Sequence, residues 1–204
     1  MSDHYYTADP NAAHDVRLHE VEILNQSMRF YTDSGVFSKT GLDDGSAILL
    51  RAMPPLFGRV LDLGCGWGAM GLTLAKVNPD AEFVLVDVNA RAVTLCERNR
   101  KENGIENVAI GISDGFSNVG GEFDFVVTNP PIRAGKAVIY GFFEQGYARL
   151  NPGGALCVVI RKQQGAPSAV KFMESFPGAS VTMLDRSKGY WVILCKKGEI
   201  QNEE

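Results

Sequence analysis

Residues 59 to 71, Arg-Val-Leu-Asp-Leu-Gly-Cys-Gly-Trp-Gly-Ala-Met-Gly, constrain this chain more than any other stretch. Val60, Leu61 and Leu63 make an apolar run of strand type. Gly64, Gly66 and Gly68 follow at every second position, and a helical pattern then begins. Strand, glycine turn and helix together form the unit that brings a ligand against bare backbone. Glycine carries no Cβ and reaches φ > 0 without steric cost. The unpaired N–H groups at the start of the following helix face the same spot. Asp62, two positions before the first glycine, puts a carboxylate at the strand end. A carboxylate repels a pyrophosphate and suits a ligand that carries a cation.

The glycine spacing does not identify the ligand. Gly66, Gly68 and Gly71 also satisfy the dinucleotide pattern G-x-G-x-x-G, and a tight turn with no ligand can be spelled the same way. A second apolar strand, Phe83 to Val86, ends in Asp87. An acid there is placed to hold the 2′- and 3′-hydroxyls of a ribose. NAD and S-adenosylmethionine both carry an adenosine ribose, so Asp87 fits either. The discrimination falls to residues further on.

A length of 204 residues suits one domain, or one domain with a small appendage. With 45% hydrophobic and 22% charged residues the chain can build a sizeable core. No apolar run approaches the length of a membrane span. The opening Met-Ser-Asp-His-Tyr-Tyr lacks the basic and apolar regions of a secretion signal. A cytoplasmic protein without a membrane partner is expected. Cys65, Cys96, Cys157 and Cys195 are widely spaced with no C-x-x-C pair, and read as reduced, mostly buried thiols. His4, His14 and His19 have no metal-ligand spacing, so no metal site is expected. A net charge of −4 argues against non-specific coating of nucleic acid but permits a local basic patch.

Along the chain, Val21–Leu24 and Met28–Thr32 read as two short strands with a turn at Asn25-Gln26, a small antiparallel flap ahead of the main sheet. A glycine-bracketed loop, Gly35 to Gly45, follows. Strands are expected at 59–63, 82–87, 107–112, 123–128, 155–161, 180–185 and 190–196. Helices are expected at 46–53, 68–77, 90–103, 135–150 and 166–176. Alternating strands and helices predict a mostly parallel sheet covered on both faces. The last two strands are joined only by Arg186-Ser-Lys-Gly189, too short for a crossover, so they must form an antiparallel hairpin. A plain dinucleotide fold would instead end on another parallel strand. The fold class expected is therefore α/β, a Rossmann-like seven-stranded sheet with a terminal antiparallel hairpin and a small N-terminal β flap, the architecture that class I methyltransferases have.

After the strand Phe123–Thr128 comes Asn129-Pro130-Pro131-Ile132. Two prolines fix φ and remove two backbone donors. They leave rigid, outward-facing carbonyls at the carboxyl end of a strand, where open α/β sheets bind ligands. Asn129 adds a side-chain acceptor and an NH₂ donor. Such a cluster suits a planar exocyclic amine. Accepting its N–H bonds turns the nitrogen lone pair outward, toward a methyl sulfonium held in line, so positioning carries most of the rate.

The sequence resembles the methyltransferase-small-domain family of class I enzymes, in particular the small-subunit rRNA guanine-N2 methyltransferases. The resemblance runs over nearly the whole chain. It rests on His4-Tyr5-Tyr6, residues 32–38 (Thr-Asp-Ser-Gly-Val-Phe-Ser), residues 61–66 (Leu-Asp-Leu-Gly-Cys-Gly), Asp87-Val88-Asn89, residues 129–136 (Asn-Pro-Pro-Ile-Arg-Ala-Gly-Lys) and Gln164-Gly165-Ala166. It implies S-adenosylmethionine as methyl donor and a guanine amine in RNA, of the rRNA or the ribosomal particle, as acceptor. Carried over by position, Asp62, Gly64, Cys65, Gly66 and Gly68 line the methionine end, with Asp62 meeting the ammonium directly or through water. Asp87 binds the ribose, and Val88 or Asn89 lies against the adenine. Asp114 accepts from the adenine amine with Gly115 alongside, and Phe37 and Ser38 cover the cofactor. Asn129, Pro130, Pro131 and Ile132 form the catalytic turn, with Asn129 also beside the cofactor. The chain then divides into a flap and covering loop at 1–40, the catalytic domain at 41–198 and a polar tail at 199–204, in a monomer or dimer.

Two departures stand out. Many relatives place an aromatic after the prolines to stack on the base, where this chain has Ile132. The best-known rRNA enzymes also carry a second, degenerate copy of the domain ahead of this one, for which this chain has no room. Competing readings are a protein glutamine methyltransferase, which uses a similar turn to hold a carboxamide, a non-catalytic RNA-binding protein on the cofactor fold, and a nicotinamide dehydrogenase. Three basic pairs follow three strands: Arg133 and Lys136, Arg161 and Lys162, Arg186 and Lys188. The shared carboxyl edge of a parallel sheet would gather these six cations beside Asn129 as a rim for RNA phosphates.

Overall fold

The computed structural model describes residues 13–199; His4, Tyr5, Tyr6 and residues 200–204 lie outside it. The chain forms β1 (Arg17–Ile23), β2 (Gln26–Thr32), α1 (Asp44–Ala52), β3 (Arg59–Leu63), α2 (Ala69–Val77), β4 (Glu82–Asp87), α3 (Ala90–Glu102) and β5 (Val108–Ile112). It continues with β6 (Phe123–Thr128), α4 (Lys136–Ala148), β7 (Leu150–Arg161), α5 (Ala166–Glu174), β8 (Ala179–Ser187) and β9 (Tyr190–Lys197). Short 3₁₀ turns at Ile132–Ala134 and Lys162–Gln164 sit between strands and helices.

Seven strands form one sheet in the order β5-β4-β3-β6-β7-β9-β8. The pairs among β3 to β7 are parallel, and β9 runs antiparallel between β7 and β8. The order steps outward from β3 in both directions, so the carboxyl ends of β3 and β6 lie side by side at the point where it reverses. Ligands bind at that point in open sheets. Side chains alternate between two apolar clusters. Val60, Phe83, Leu85, Val127 and Cys157 join α1, α2, α3 and the β1–β2 hairpin on one face. Leu61, Val86, Val126, Leu156 and Ile193 join α4 and α5 on the other. Period-two alternation in buried strands thus closes both faces.

Several boundaries differ from those read in the sequence, three of them at element starts with a local explanation. The first strand starts at Arg17, not Val21, and its turn is Leu24-Asn25, with both residues at positive φ (51° and 59°). A two-residue turn of this hand matches the strand twist, but a leucine gives no sequence signal for it. α1 starts at Asp44 because Asp43 caps it, its carboxylate accepting from the Ser46 N–H at 3.1 Å. β7 starts at Leu150, because Asn151-Pro-Gly-Gly154 forms an irregularity inside the strand rather than a loop.

Candidate functional site

A cavity of about 550 Å³ opens at the carboxyl edge, a size suited to a cofactor or small ligand. Its floor is the glycine turn. Gly64 and Gly66 have φ of 76° and 56°, and a Cβ built on either meets no protein atom within 4 Å. A side chain there would fill space that the fold leaves for a ligand.

The acids behind the turn are held by backbone donors. Asp87 lines the cavity, with Oδ2 accepting from the Gly66 N–H and Oδ1 from the Asn89 N–H, both at 2.8 Å. Burial holds its carboxyl above the usual range, against the pull of those bonds. Asp62 is fully buried and lies outside the cavity lining. Its Oδ2 accepts from the Gly71 N–H at 2.8 Å, and a Cβ at Gly71 would come within 2.7 Å of that oxygen. Gly71 is therefore a close-packing glycine for Asp62. Oδ1 of Asp62 is buried with no hydrogen-bond partner among the described residues. Burial, with a smaller contribution from Asp87, raises the Asp62 carboxyl to about 7. One buried acid with an orphaned carboxylate oxygen, and a half-buried acid lining the cavity beside an open glycine cradle, fit a ligand that carries positive charge.

Several residues expected in the site are placed differently. Asn89 is fully buried away from the cavity. It caps α3, accepting from Arg91 and Ala92, and donates to the Gly35 carbonyl at 2.9 Å. Val88 takes the cavity wall instead. Gly68 also lies off the cavity; its Cβ would strike Cys96 Sγ at 2.6 Å, so it serves packing at the start of α2. Cys65, Asp114, Gly115, Phe37 and Ser38 all line the cavity. Phe37 is held through its carbonyl, which accepts from Trp67 Nε1–H at 2.8 Å. Trp67, 3% exposed, was missed in the sequence, although a tryptophan inside a glycine turn carries a polar handle that calls for a partner.

The Asn129 turn lies beside the glycine turn on the same cavity, and Asn129, Pro130, Pro131 and Ile132 all line it. Thr128 Oγ1 donates to the Leu63 carbonyl at 2.8 Å, tying the ends of β6 and β3 together. Asn129 Nδ2 donates to Asp43 Oδ1 at 3.3 Å and to Ser46 Oγ at 3.1 Å. Asp43 can only accept when ionised, so the amide must point its NH₂ there, and its carbonyl oxygen is left to accept. Neither Asp43 nor Ser46 was singled out in the sequence; the Asp-x-x-Ser spacing of a helix cap was the available signal. The prolines' carbonyls do not all face outward as expected. Those of Pro131 and Ile132 accept from Ala134 and Gly135 within the 3₁₀ turn. The Asn129 side-chain oxygen and the Pro130 carbonyl are among the acceptors not engaged by these turn bonds.

The six basic residues divide. Arg133 and Arg161 line the main cavity. Arg161, Lys162 and Lys188 surround a second cavity of about 190 Å³. Lys136 lies over the Tyr140 ring and Arg186 over the Trp191 ring, at 4.9 Å and 4.4 Å from the centroids, and neither lines either of these two cavities.

A glycine turn and an Asn-Pro-Pro turn facing one cavity, on a sheet that ends in a reversed hairpin, define the class I methyltransferase architecture. Comparison with known proteins narrows this. Residues 27–194 match the methyltransferase small domain family, and the chain belongs to it. It is 42% identical over 201 residues to the uncharacterized protein YbxB of Bacillus subtilis, covering 97% of this chain and all of that one. It is 39% identical over 132 residues to ribosomal RNA small subunit methyltransferase C of Shewanella loihica, covering 63% of this chain and 38% of that protein. Among solved structures it is similar to the T. thermophilus 16S rRNA N2 G1207 methyltransferase RsmC in complex with AdoMet and guanosine. That likeness has a TM-score of 0.80 and 29% identity, and covers 92% of this chain and 52% of that one. The chain thus spans about half or less of the rRNA methyltransferases it matches.

Proposed function

We propose that this protein is an S-adenosylmethionine-dependent methyltransferase that modifies an exocyclic amine of a nucleobase in RNA, with guanine N2 of small-subunit rRNA as the acceptor. The observation that carries this reading is Asn129, its amide NH₂ tied to Asp43 and Ser46 and its carbonyl left to accept, in one cavity with an open glycine cradle. Membership of the methyltransferase small domain family and likeness to an RsmC bound to AdoMet and guanosine support it.

When bound, S-adenosylmethionine supplies an electrophilic methyl on a sulfonium. Gly64 and Gly66 admit it against backbone, Asp87 accepts from its ribose, and the field of Asp62 favours its cationic end. Asp114 and Gly115 take the adenine side, and Phe37 and Ser38 cover it. Asn129 Oδ1 and the Pro130 carbonyl accept the two N–H bonds of the acceptor amine. This orients the nitrogen lone pair and excludes rotated poses, without a strong base. Arg133, Arg161, Lys162 and Lys188 hold nearby phosphates, which position the strand but carry no sequence information.

Incubation with methyl-labelled S-adenosylmethionine and either small-subunit rRNA, assembled small subunits or total protein tests the reading. Label in N2-methylguanosine is the expected result. Label confined to protein would overturn it in favour of a carboxamide acceptor.

A further inference from the structure

Ile132, next after the two prolines, lines the cavity and packs against the apolar cluster around α4, but its aliphatic side chain offers no ring face to a base. The platform must come from another element. Three other aromatic rings reach the cavity beside the buried Trp67: Phe37, Phe142 and Tyr190. Phe37 is tied to Trp67 next to the glycine turn. Phe142 lies against Gly115, where an added Cβ would meet its ring at 2.8 Å. Both belong to the cofactor side.

Tyr190 stands at the other end. Its Cε1 lies 2.9 Å from a Cβ built on Gly45, and Asp43 Oδ1 lies 3.1 Å from the same point. Asp43, together with Ser46, holds Asn129 Nδ2. One capping residue therefore separates the Tyr190 ring from the amide that accepts the amine. The Arg161 guanidinium lies over this ring, 4.6 Å from its centroid. Arg161 also lines the second cavity with Lys162 and Lys188, and the Lys162 N–H donates to the Gly189 carbonyl at 2.8 Å, locking this corner to the hairpin turn. Lys188 is paired with Asp44 at 2.7 Å, but both are more than half exposed, so a phosphate can displace that carboxylate at little cost.

We propose that Tyr190, with Arg161 laid over its ring, is the platform for the acceptor base, and that the adjoining cationic cavity holds a phosphate of the same strand. This rests on the RNA reading above. A base has a π-face that stacks on an aromatic ring or a guanidinium plane, and its flanking phosphate needs cations within one nucleotide's reach. The pair supplies the first requirement and the second cavity the other. The hairpin turn thereby performs the task that the position after the prolines has lost.

The test is steady-state methylation of small-subunit rRNA or of assembled small subunits, whichever the wild type methylates, with cofactor affinity measured in parallel as a check on folding. Tyr190→Ala should raise KM for RNA on the order of tenfold and lower kcat, with cofactor affinity unchanged. Tyr190→Phe, which keeps the ring, should stay near wild type. Arg161→Lys, which keeps charge and loses the plane, should follow Tyr190→Ala. Adding Ile132→Phe to Tyr190→Ala should restore part of the lost activity. Lys162→Gln with Lys188→Gln should raise KM and flatten its salt dependence while sparing kcat. If the wild type methylates RNA and Tyr190→Ala matches it in KM and kcat, the platform is refuted alone. The same holds if Tyr190→Phe fails as badly as Tyr190→Ala. A wild type that methylates no RNA refutes the RNA reading and the platform with it.

Discussion

Asn129 has a side chain whose two ends look alike in shape and differ wholly in chemistry. Its NH₂ is held by Asp43 and Ser46 at the start of α1, so its oxygen is the end available to an amine. Asn129→Ala should lower the methylation rate by roughly 10²-fold or more and leave cofactor affinity nearly intact, because it removes an acceptor aimed at the reacting group. A variant with normal turnover would end the amine-positioning role. Asp62 makes a different prediction. Its carboxyl is raised to about 7, chiefly by burial, from an unfolded value near 3.8. The folded state therefore holds the proton more tightly than the unfolded chain. The stability from Asp62 is full below about pH 3.8, is lost as pH rises to about 7, and changes little above that. A cationic cofactor favours the ionised form. Its affinity should rise as pH climbs toward about 7 and level off above, with proton release on binding below that point, and Asp62→Asn should remove both effects. Calorimetry in buffers of different ionisation heat measures this. An affinity independent of pH, with no proton released, would detach Asp62 from the cofactor.

The N-terminal hairpin reads in sequence as a flap and is built as a docked element. Phe30 and Met28 are fully buried. The outer edge of β2 is closed by Asn99 of α3 and by Asn103, the residue that caps its C-terminus. Asn99 accepts from the Tyr31 N–H at 2.7 Å and donates to the carbonyls of Tyr31 and Trp67 at 2.9 Å and 2.8 Å. Asn103 does the same for the N–H and carbonyl of Arg29. Side-chain amides thus stand in for a missing neighbouring strand and cover an edge that would otherwise be open to pairing. Asn99 is fully buried, and its loss leaves backbone groups unpaired at about 1–3 kcal/mol each. Asn99→Ala should cost on the order of 3 kcal/mol in urea unfolding. A loss within about 0.5 kcal/mol, the range of ordinary surface substitutions, would show that water replaces the amide and that the hairpin docks by its apolar face alone.

Across the whole molecule, an acidic chain collects a basic corner. Arg133, Arg161, Lys162 and Lys188 come from three separate segments and meet at the carboxyl edge because β7 is paired with the reversed β9. Neutralising Arg133, Arg161 and Lys188 together should weaken RNA binding and flatten its salt dependence, since fewer counterions are released. Cofactor affinity should not change. Filter binding across a salt series measures this. Wild-type RNA affinity at every salt concentration would move the RNA surface elsewhere, with the N-terminal hairpin the next candidate.

The glycine turn, the acids at two strand ends, the Asn-Pro-Pro turn and the hairpin too short for a crossover were legible in the residues, because each is a local rule of backbone geometry. These were enough for the sheet, its reversed last strand and the floor and lip of the cavity. What the chain could not reveal one residue at a time was which side chains face the cavity and which support it. Asp62 and Asn89 fit the pattern of ligand-facing groups, yet folding places Asp62 behind Gly71 and makes Asn89 the cap of α3. Asp43 and Ser46 spell only a helix cap, Trp67 only a buried polar handle and Tyr190 nothing, and they reach the site because α1, the glycine turn and β9 converge there. Contact across such sequence distances is decided by packing, and only the tertiary structure contains it.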